Sequence, residues 1–369
     1  MILYKKKGNT VNKLKVIKVS MLSSLLVLYS PSFVQATDEV KQQIHIAGYG
    51  YDRVRGIIDG KVGIEGVSTD FSIEDIYGLS KFASGPEKKY EVTEIGLIPF
   101  ISKYINEGFR DYTLIPVFIS RTFRHRNIYV HVDSGISKPE DLKGKKVGTP
   151  GYGMSANTWI RGFLLDEYGI KAKDLNWIET QKSSDGGKFK AGKYFFADDF
   201  PLTKGPLGVD ESELLLSGKC GALITAITPK AYIEGNPKIK RLFADVTATE
   251  KAYYKKTKMF PIMHVIAIRN DAIKANPNLP KEVFEMYAKS KQMAYDDMET
   301  TTSLKVTLPW VAQEFKDTQA LMGDDFWSYG IETNRKELES VMRYVYEQGL
   351  VKRRINFEEL FHSSTLKLK

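Results

Sequence analysis

Short β-branched and apolar runs alternate with helix-length segments along most of the chain, and this alternation restricts the fold more than any other feature. Gln43-Ile44-His45-Ile46-Ala47 reads as a first strand, with a turn at Gly48-Tyr49-Gly50. Val67 to Phe71, Glu91 to Ile95 and Thr113 to Phe118 read as the next three, with a helix through Tyr104 after the third. A second set comprises strands at Asn127 to His131, Lys145 to Thr149 and Ala222 to Thr225, and a helix from Ala156 to Tyr168 stopped by Gly169. Met263 to Arg269 is a last strand, and Pro280 to Met298 and Arg335 to Gln348 are long helices. The stretch Gln181 to Leu207, rich in Gly, Lys, Ser and Asp, is expected to be a surface loop. The fold class is therefore α/β with mainly parallel sheets.

The N-terminal stretch stands apart from this pattern. Six lysines between Lys5 and Lys18 precede an apolar run, Val19 to Tyr29, and then Val34-Gln35-Ala36. That order is expected of a secretory signal cleaved after Ala36, and the apolar run falls short of the roughly 20 residues a membrane span needs. Residues 1–36 are accordingly assigned to a signal peptide and the mature chain to the periplasm, with no stable membrane anchor. The remaining chain exceeds what one core usually supports, so two lobes are expected. The assignment is residues 37–122 with 262–369 in lobe 1 and 123–261 in lobe 2. The chain then crosses between lobes twice, which makes a hinge with a ligand cleft beside it.

Charge and cysteine content narrow the partners. Without the six leader lysines the formal charge of +9 falls to +3, and no basic run is interleaved with aromatics, so nucleic acid is not expected. A small anionic ligand fits better. Cys220 is the one cysteine and follows Gly218-Lys219 beside an apolar run; a buried, inert thiol is expected. Five scattered histidines and one cysteine offer no zinc spacing, so no metal and no cofactor are expected.

Candidate ligand-binding residues follow from where an anion could be held. Ser155-Ala156-Asn157 at a helix start offers free N–H groups, the helix dipole and a hydroxyl, although Ser155 could equally serve as an N-cap. Tyr49, Tyr51 and Arg53 follow the first strand, where open α/β sheets bind ligands; Arg53 could grip a carboxylate while a tyrosine stacks on a ring. Arg121, Arg124 and His125 lie at the first crossing, where they suit a dianion or a salt-bridged hinge; Arg121 and His125 are preferred over Arg124. Tyr152 and Trp159 add aromatic surface, and His264 occupies the second crossing. No carboxylate adjoins either histidine in sequence, and no G-x-S-x-G elbow, P-loop or G-x-G-x-x-G is present. No residue is therefore assigned as catalytic; were the chain an enzyme, His125 and His264 would be the proton donors.

Several segments together resemble one family. They are Ser120-Arg121-Thr122-Phe123-Arg124-His125-Arg126-Asn127-Ile128-Tyr129-Val130, Asp141 to Gly148, Trp159-Ile160-Arg161-Gly162, Phe260-Pro261-Ile262-Met263-His264 and the tail Tyr344 to Leu350. In this order they resemble the 4,5-dihydroxyphthalate decarboxylase family, itself similar to type 2 periplasmic solute-binding proteins, over about Ile44 to Phe361. The resemblance implies a two-lobed, type 2 periplasmic-binding fold with a two-crossing hinge. The chain departs from the family pattern at Pro150-Gly151-Tyr152-Gly153, where P-E-Y-Q is expected, at Gly96 in place of a Ser, and at Ile227 in place of an Arg. The leading expectation is a periplasmic solute-binding protein that captures a small, aromatic-type carboxylate for an ABC importer, with an inner-membrane permease as partner. A metal-independent carboxy-lyase like the family's namesake is the alternative.

Overall fold

The protein was analysed as a computed structural model, which describes residues 42–180, 182–187 and 193–369. The expected signal peptide, residues 1–36, lies outside them.

Strands β1 (Gln42–Gly48), β2 (Val67–Ile73), β3 (Val92–Gly96) and β4 (Tyr112–Arg121) form in the first third of the chain. Six follow: β5 (Ile128–His131), β6 (Lys146–Thr149), β7 (Asn176–Glu179), β8 (Leu202–Lys204), β9 (Ala222–Ile224) and β10 (Ile239–Arg241), and the last is β11 (Ile262–Arg269). They assemble as two sheets, one ordered β2-β1-β3-β11-β4 and the other β10-β5-β9-β6-β7-β8. Parallel pairing joins β1 to β2 and β3, and β6 to β7 and β9. Antiparallel pairs sit where the chain passes between sheets: β11 runs against β3 and β4, and β5 against β9 and β10.

β4 and β11 read as near-continuous apolar runs because both faces of their sheet are covered. The helix Leu279–Glu299 packs Val283, Phe284 and Tyr287 on one face, and the helix Leu97–Asn106 packs Leu97, Ile98 and Ile101 on the other. In the second set, the helix Ser155–Tyr168 buries nearly every side chain of its first ten positions. Its partner is the helix Arg335–Glu347, and the two approach so closely that a Cβ at Gly162 would collide with the ring of Tyr344. Gly169 ends the first of these helices in the left-handed conformation, as its sequence position predicts.

One sequence expectation needs correction. Gln181 to Leu207 is not merely a surface loop: β8 adds an edge strand, and Tyr194, Phe196 and Phe200 pack their rings around Tyr152. A three-residue edge strand is too short to show an alternating pattern, and the aromatics are spaced for a packing cluster with no regular period. β7 and β10, likewise three or four residues long, carry no readable period either. Cys220 is buried as expected, and burial pushes its thiol up to about 12.

The two crossings between sheets lie side by side. Thr122 N–H donates to Pro261 O at 3.2 Å, and Phe123 stacks on Phe260 at 4.7 Å between ring centres. Beneath them the Arg121 side chain is 1% exposed. It donates to Phe260 O at 2.8 and 3.1 Å, to Ser328 O and to Glu337 Oε1 at 3.1 Å. Glu337 Oε1 also accepts from Phe260 N–H at 3.0 Å. This buried ion pair ties both crossings to the helix Arg335–Glu347.

Candidate functional site

The carboxyl ends of β3 and β6 are brought together by the helices that follow them, through Ile98 N–H and Ser155 Oγ, at the position where open α/β sheets bind ligands. At the end of β3 sits Glu94, a charged side chain inside an apolar strand and only 1% exposed. It accepts three hydrogen bonds: Tyr49 N–H at 3.0 Å, Tyr51 hydroxyl at 2.9 Å and His264 Nδ1 at 2.6 Å. Antiparallel pairing makes the last possible, since His264 lies opposite Gly96 and Ile266 opposite Glu94 in the β11–β3 ladder. With Nδ1 assigned as donor to the carboxylate, Nε2 is the ring nitrogen left for other partners. The His264 side chain keeps 17% of its surface exposed, so it is reachable where Glu94 is not.

Two phenols roof this pair. The Tyr49 ring lies 6.1 Å from the His264 ring at 23°, and 5.5 Å from the Tyr51 ring. Burial and the Glu94 charge push the Tyr49 hydroxyl up to about 12 and that of Tyr51 further up, so both remain protonated donors.

Two helix N-termini converge here. The helix Leu97–Asn106 starts directly after Gly96, and the helix Ser155–Tyr168 starts after Met154; neither Gly96 nor Met154 supplies a side-chain cap. Ser155 is the first helical residue of the second rather than its N-cap, and its Oγ accepts from Ile98 N–H at 3.4 Å. Farther out, Tyr77 of the helix Ile76–Ser84 donates its hydroxyl to Asp185 at 3.3 Å, a second bridge between elements of the two sheets.

The remaining predicted positions fall in several places. Arg53 is half-buried and held within the first sheet's lobe: Nε donates to Ile119 O at 2.7 Å, and the guanidinium lies between Tyr51 (3.8 Å) and Trp327 (4.1 Å). Arg121 belongs to the buried hinge pair. Tyr152 has no exposed surface and lies under the Arg161 guanidinium at 3.7 Å. Asn157 is buried and ties its own turn to Thr149 Oγ1 and Gly151 O. Trp159 is 1% exposed and donates to Ile262 O at 2.9 Å, joining its helix to β11.

His125 is also a packing residue, stacked on Phe163 at 4.2 Å and close to Phe243 and Tyr253. Burial alone pushes its imidazole down to about 4. Above the unfolded value of about 6.5 the ring is neutral in both states. As pH falls from there toward 4 the unfolded chain takes up a proton that the native chain refuses, so stability is lost. The loss is expected to reach roughly 3 kcal/mol, because each pH unit crossed between the two values costs about 1.4 kcal/mol. His125→Phe should abolish that part of the acid sensitivity, which urea unfolding at about pH 7.5 and about pH 4.5 would measure.

Sequence reasoning missed Glu94 and ranked Arg124 below Arg121 and His125. A lone acid between Thr93 and Ile95 in an apolar strand was the available signal for Glu94, because such a residue is rarely buried without partners. Arg124 is half-buried, between Met263 on β11 and Ala226 after β9.

Against known proteins, the "NMT1/THI5 like" family model matches residues 119–198. A 4,5-dihydroxyphthalate decarboxylase of Comamonas testosteroni is 35% identical over 326 residues, 88% of this chain and 98% of that protein. The chain belongs to the 4,5-dihydroxyphthalate decarboxylase family. A second member, from Pseudomonas putida, is 33% identical over 58% of this chain and 82% of its own length. Among solved structures, a periplasmic sulfonate-binding protein SsuA of Methylobacillus flagellatus KT superposes with a TM-score of 0.51 at 16% identity, over 88% of this chain and 92% of that one. This family member thus has the two-lobed type 2 periplasmic-binding fold, with its two crossings as the hinge. Among its described residues no helix is long and apolar enough to cross a membrane.

Proposed function

We propose that the chain is a carboxy-lyase that encloses a hydroxylated aromatic acid between its lobes and replaces a ring carboxylate by a proton. The observation that carries this reading is the buried Glu94–His264 pair at the strand ends. A protein that only captures a solute has no need of a histidine backed by a carboxylate and two phenols, whereas protonation of a ring carbon requires a positioned acid.

In this mechanism the His264 imidazolium gives its Nε2 proton to the ring carbon that bears the carboxylate. The carbon–carboxylate bond then breaks, carbon dioxide leaves, and the bonding pair restores the aromatic ring. Neutral His264 regains a proton from water. In 4,5-dihydroxyphthalate each carboxylate is para to a hydroxyl, which donates electron density to the carbon being protonated; the product is 3,4-dihydroxybenzoate. Glu94 fixes the ring orientation and tautomer of His264, and Tyr49 and Tyr51 hold Glu94 and present aromatic surface to the substrate.

The leader segment favours a second reading. Its basic, apolar and V-x-A succession fits export, and export fits a periplasmic solute-binding protein that hands a carboxylate to an ABC-type permease. Its mechanism would be hinge closure on the ligand without chemistry.

Incubation with 4,5-dihydroxyphthalate under equilibrium dialysis separates the two, with acid and product quantified in both chambers. Product formed in proportion to protein is the expected result. Retention of intact acid on the protein side, without product, would replace the lyase by the solute-binding protein.

A further inference from the structure

We infer that Arg124 is the anion receptor of the cleft and that the group it receives is a carboxylate. This deepens the proposed function by naming the residue that binds the acid, but it holds for a binder as well as for a lyase.

Three other arginines near the strand ends and hinge already have a carboxylate partner. Arg53 pairs with Asp52 and is clasped by two aromatic rings; Arg121 pairs with Glu337; Arg126 pairs with Glu250 at 2.6 Å. Arg161 also meets only neutral acceptors, Gln348 Oε1, Tyr152 O and Thr158 Oγ1, but it is 2% exposed where Arg124 is half-buried. Among the described residues Arg124 has no carboxylate partner. Its Nε faces the Met263 thioether at 3.2 Å, a weak acceptor, and Nη1 reaches Asn127 Oδ1 at 3.4 Å and Ala226 O at 3.3 Å. All three are neutral groups, the two oxygen contacts lie at the long end of hydrogen bonding, and Nη2 donates to none of the described residues.

A half-buried guanidinium that meets only neutral acceptors carries a desolvation cost with no counter-charge in contact to offset it. Burial, and then the Arg126 charge, push Arg124 down to about 10. It stays charged near neutrality, and the Glu250 charge acts on it without touching it, so an anion arriving from outside is what would supply a counter-charge in contact. The position is suitable. Met263 precedes His264 on β11, Ala226 follows β9 of the other sheet, and the Tyr51 hydroxyl is close enough to interact electrostatically. A planar carboxylate matches the free edge of a guanidinium bidentately, which a spherical anion does not. A ligand held there sits beside the acid–base pair and touches both lobes.

The test uses the full chain carrying His264→Asn, so that bound acid is not consumed, and two probes read by calorimetry: 4,5-dihydroxyphthalate, and catechol, which keeps the hydroxyls and lacks the carboxylates. Arg124→Ala is expected to weaken the acid about 100-fold and leave catechol within about twofold, and Arg124→Lys to recover part of the loss. Thermal unfolding without ligand supplies an independent measurement. An uncompensated receptor predicts that Arg124→Ala melts at or above the temperature of its parent, whereas a structural arginine predicts a clear drop. Acid affinity unchanged in Arg124→Ala, equal loss for both probes, or a marked drop in melting temperature would each overturn the assignment. Arg124-dependent binding of the acid by the unsubstituted chain without product would keep the receptor and discard the lyase. Failure of the acid to bind at all would discard both.

Discussion

Replacing His264 by Asn is expected to slow the proposed decarboxylation about 10²- to 10⁴-fold, the usual share of a positioned general acid, while the acid still binds within roughly threefold of its original affinity. Asparagine can still donate to Glu94 and carries no proton that it can transfer at neutral pH. Binding and chemistry therefore separate: kcat falls and the dissociation constant stays. Glu94→Gln should act through the histidine and not through the substrate. Its amide must turn a donor toward one of the three groups that now donate to it, Tyr49 N–H, Tyr51 hydroxyl or His264 Nδ1. The expected signature is a smaller loss in kcat, of about 10- to 100-fold, accompanied by a displaced pH–rate profile. Single-turnover and steady-state rates on both variants, with calorimetric binding beside them, check this. If His264→Asn lost affinity and rate in equal proportion, the histidine would be a binding group and the proton would have to come from elsewhere.

The second large effect concerns the hinge. Glu337→Ala is expected to destabilise the protein by about 3–5 kcal/mol, since it leaves the Arg121 guanidinium buried without its counter-charge and Phe260 N–H without its acceptor. In a chain of this size that corresponds to a fall in melting temperature on the order of 10 °C. Removing both charges with Arg121→Met and Glu337→Leu should cost much less than the single change, because the penalty lies in the orphaned charge more than in the lost attraction. Denaturant and thermal unfolding of the single and double variants measure it. Equal losses in the single and double variants would show that packing around the pair, and not its charge balance, is what holds the crossings.

These two clusters also show how far a sequence can be read. The strands and long helices were legible because their signals are local: alternating or continuous apolar runs, Gly169 as a helix stop, Pro280 in a first turn. The short strands β7, β8 and β10 were not, because three or four residues cannot display a period. Charged and aromatic residues at strand ends could be recognised as candidates, yet their allotment to ligand, hinge or core could not. Arg121 and Arg124 are three residues apart in one motif, with the same side chain. One meets Glu337, more than 200 positions later, and is neutralised; the other meets a thioether and two neutral oxygens. His125 and His264 were equivalent donors on paper. One is stacked in an apolar pocket that keeps it neutral, and the other is set against Glu94, 170 residues away in sequence.

The sequence by itself determined the α/β alternation, the double crossing and the residue types available for an anion, because backbone periodicity, turn chemistry and side-chain chemistry are written locally. Only the tertiary structure decided which arginines meet a carboxylate and which histidine acquires one. The physical reason is that charge compensation and burial depend on what the fold brings within about 4 Å, and sheet register, not distance along the chain, sets that.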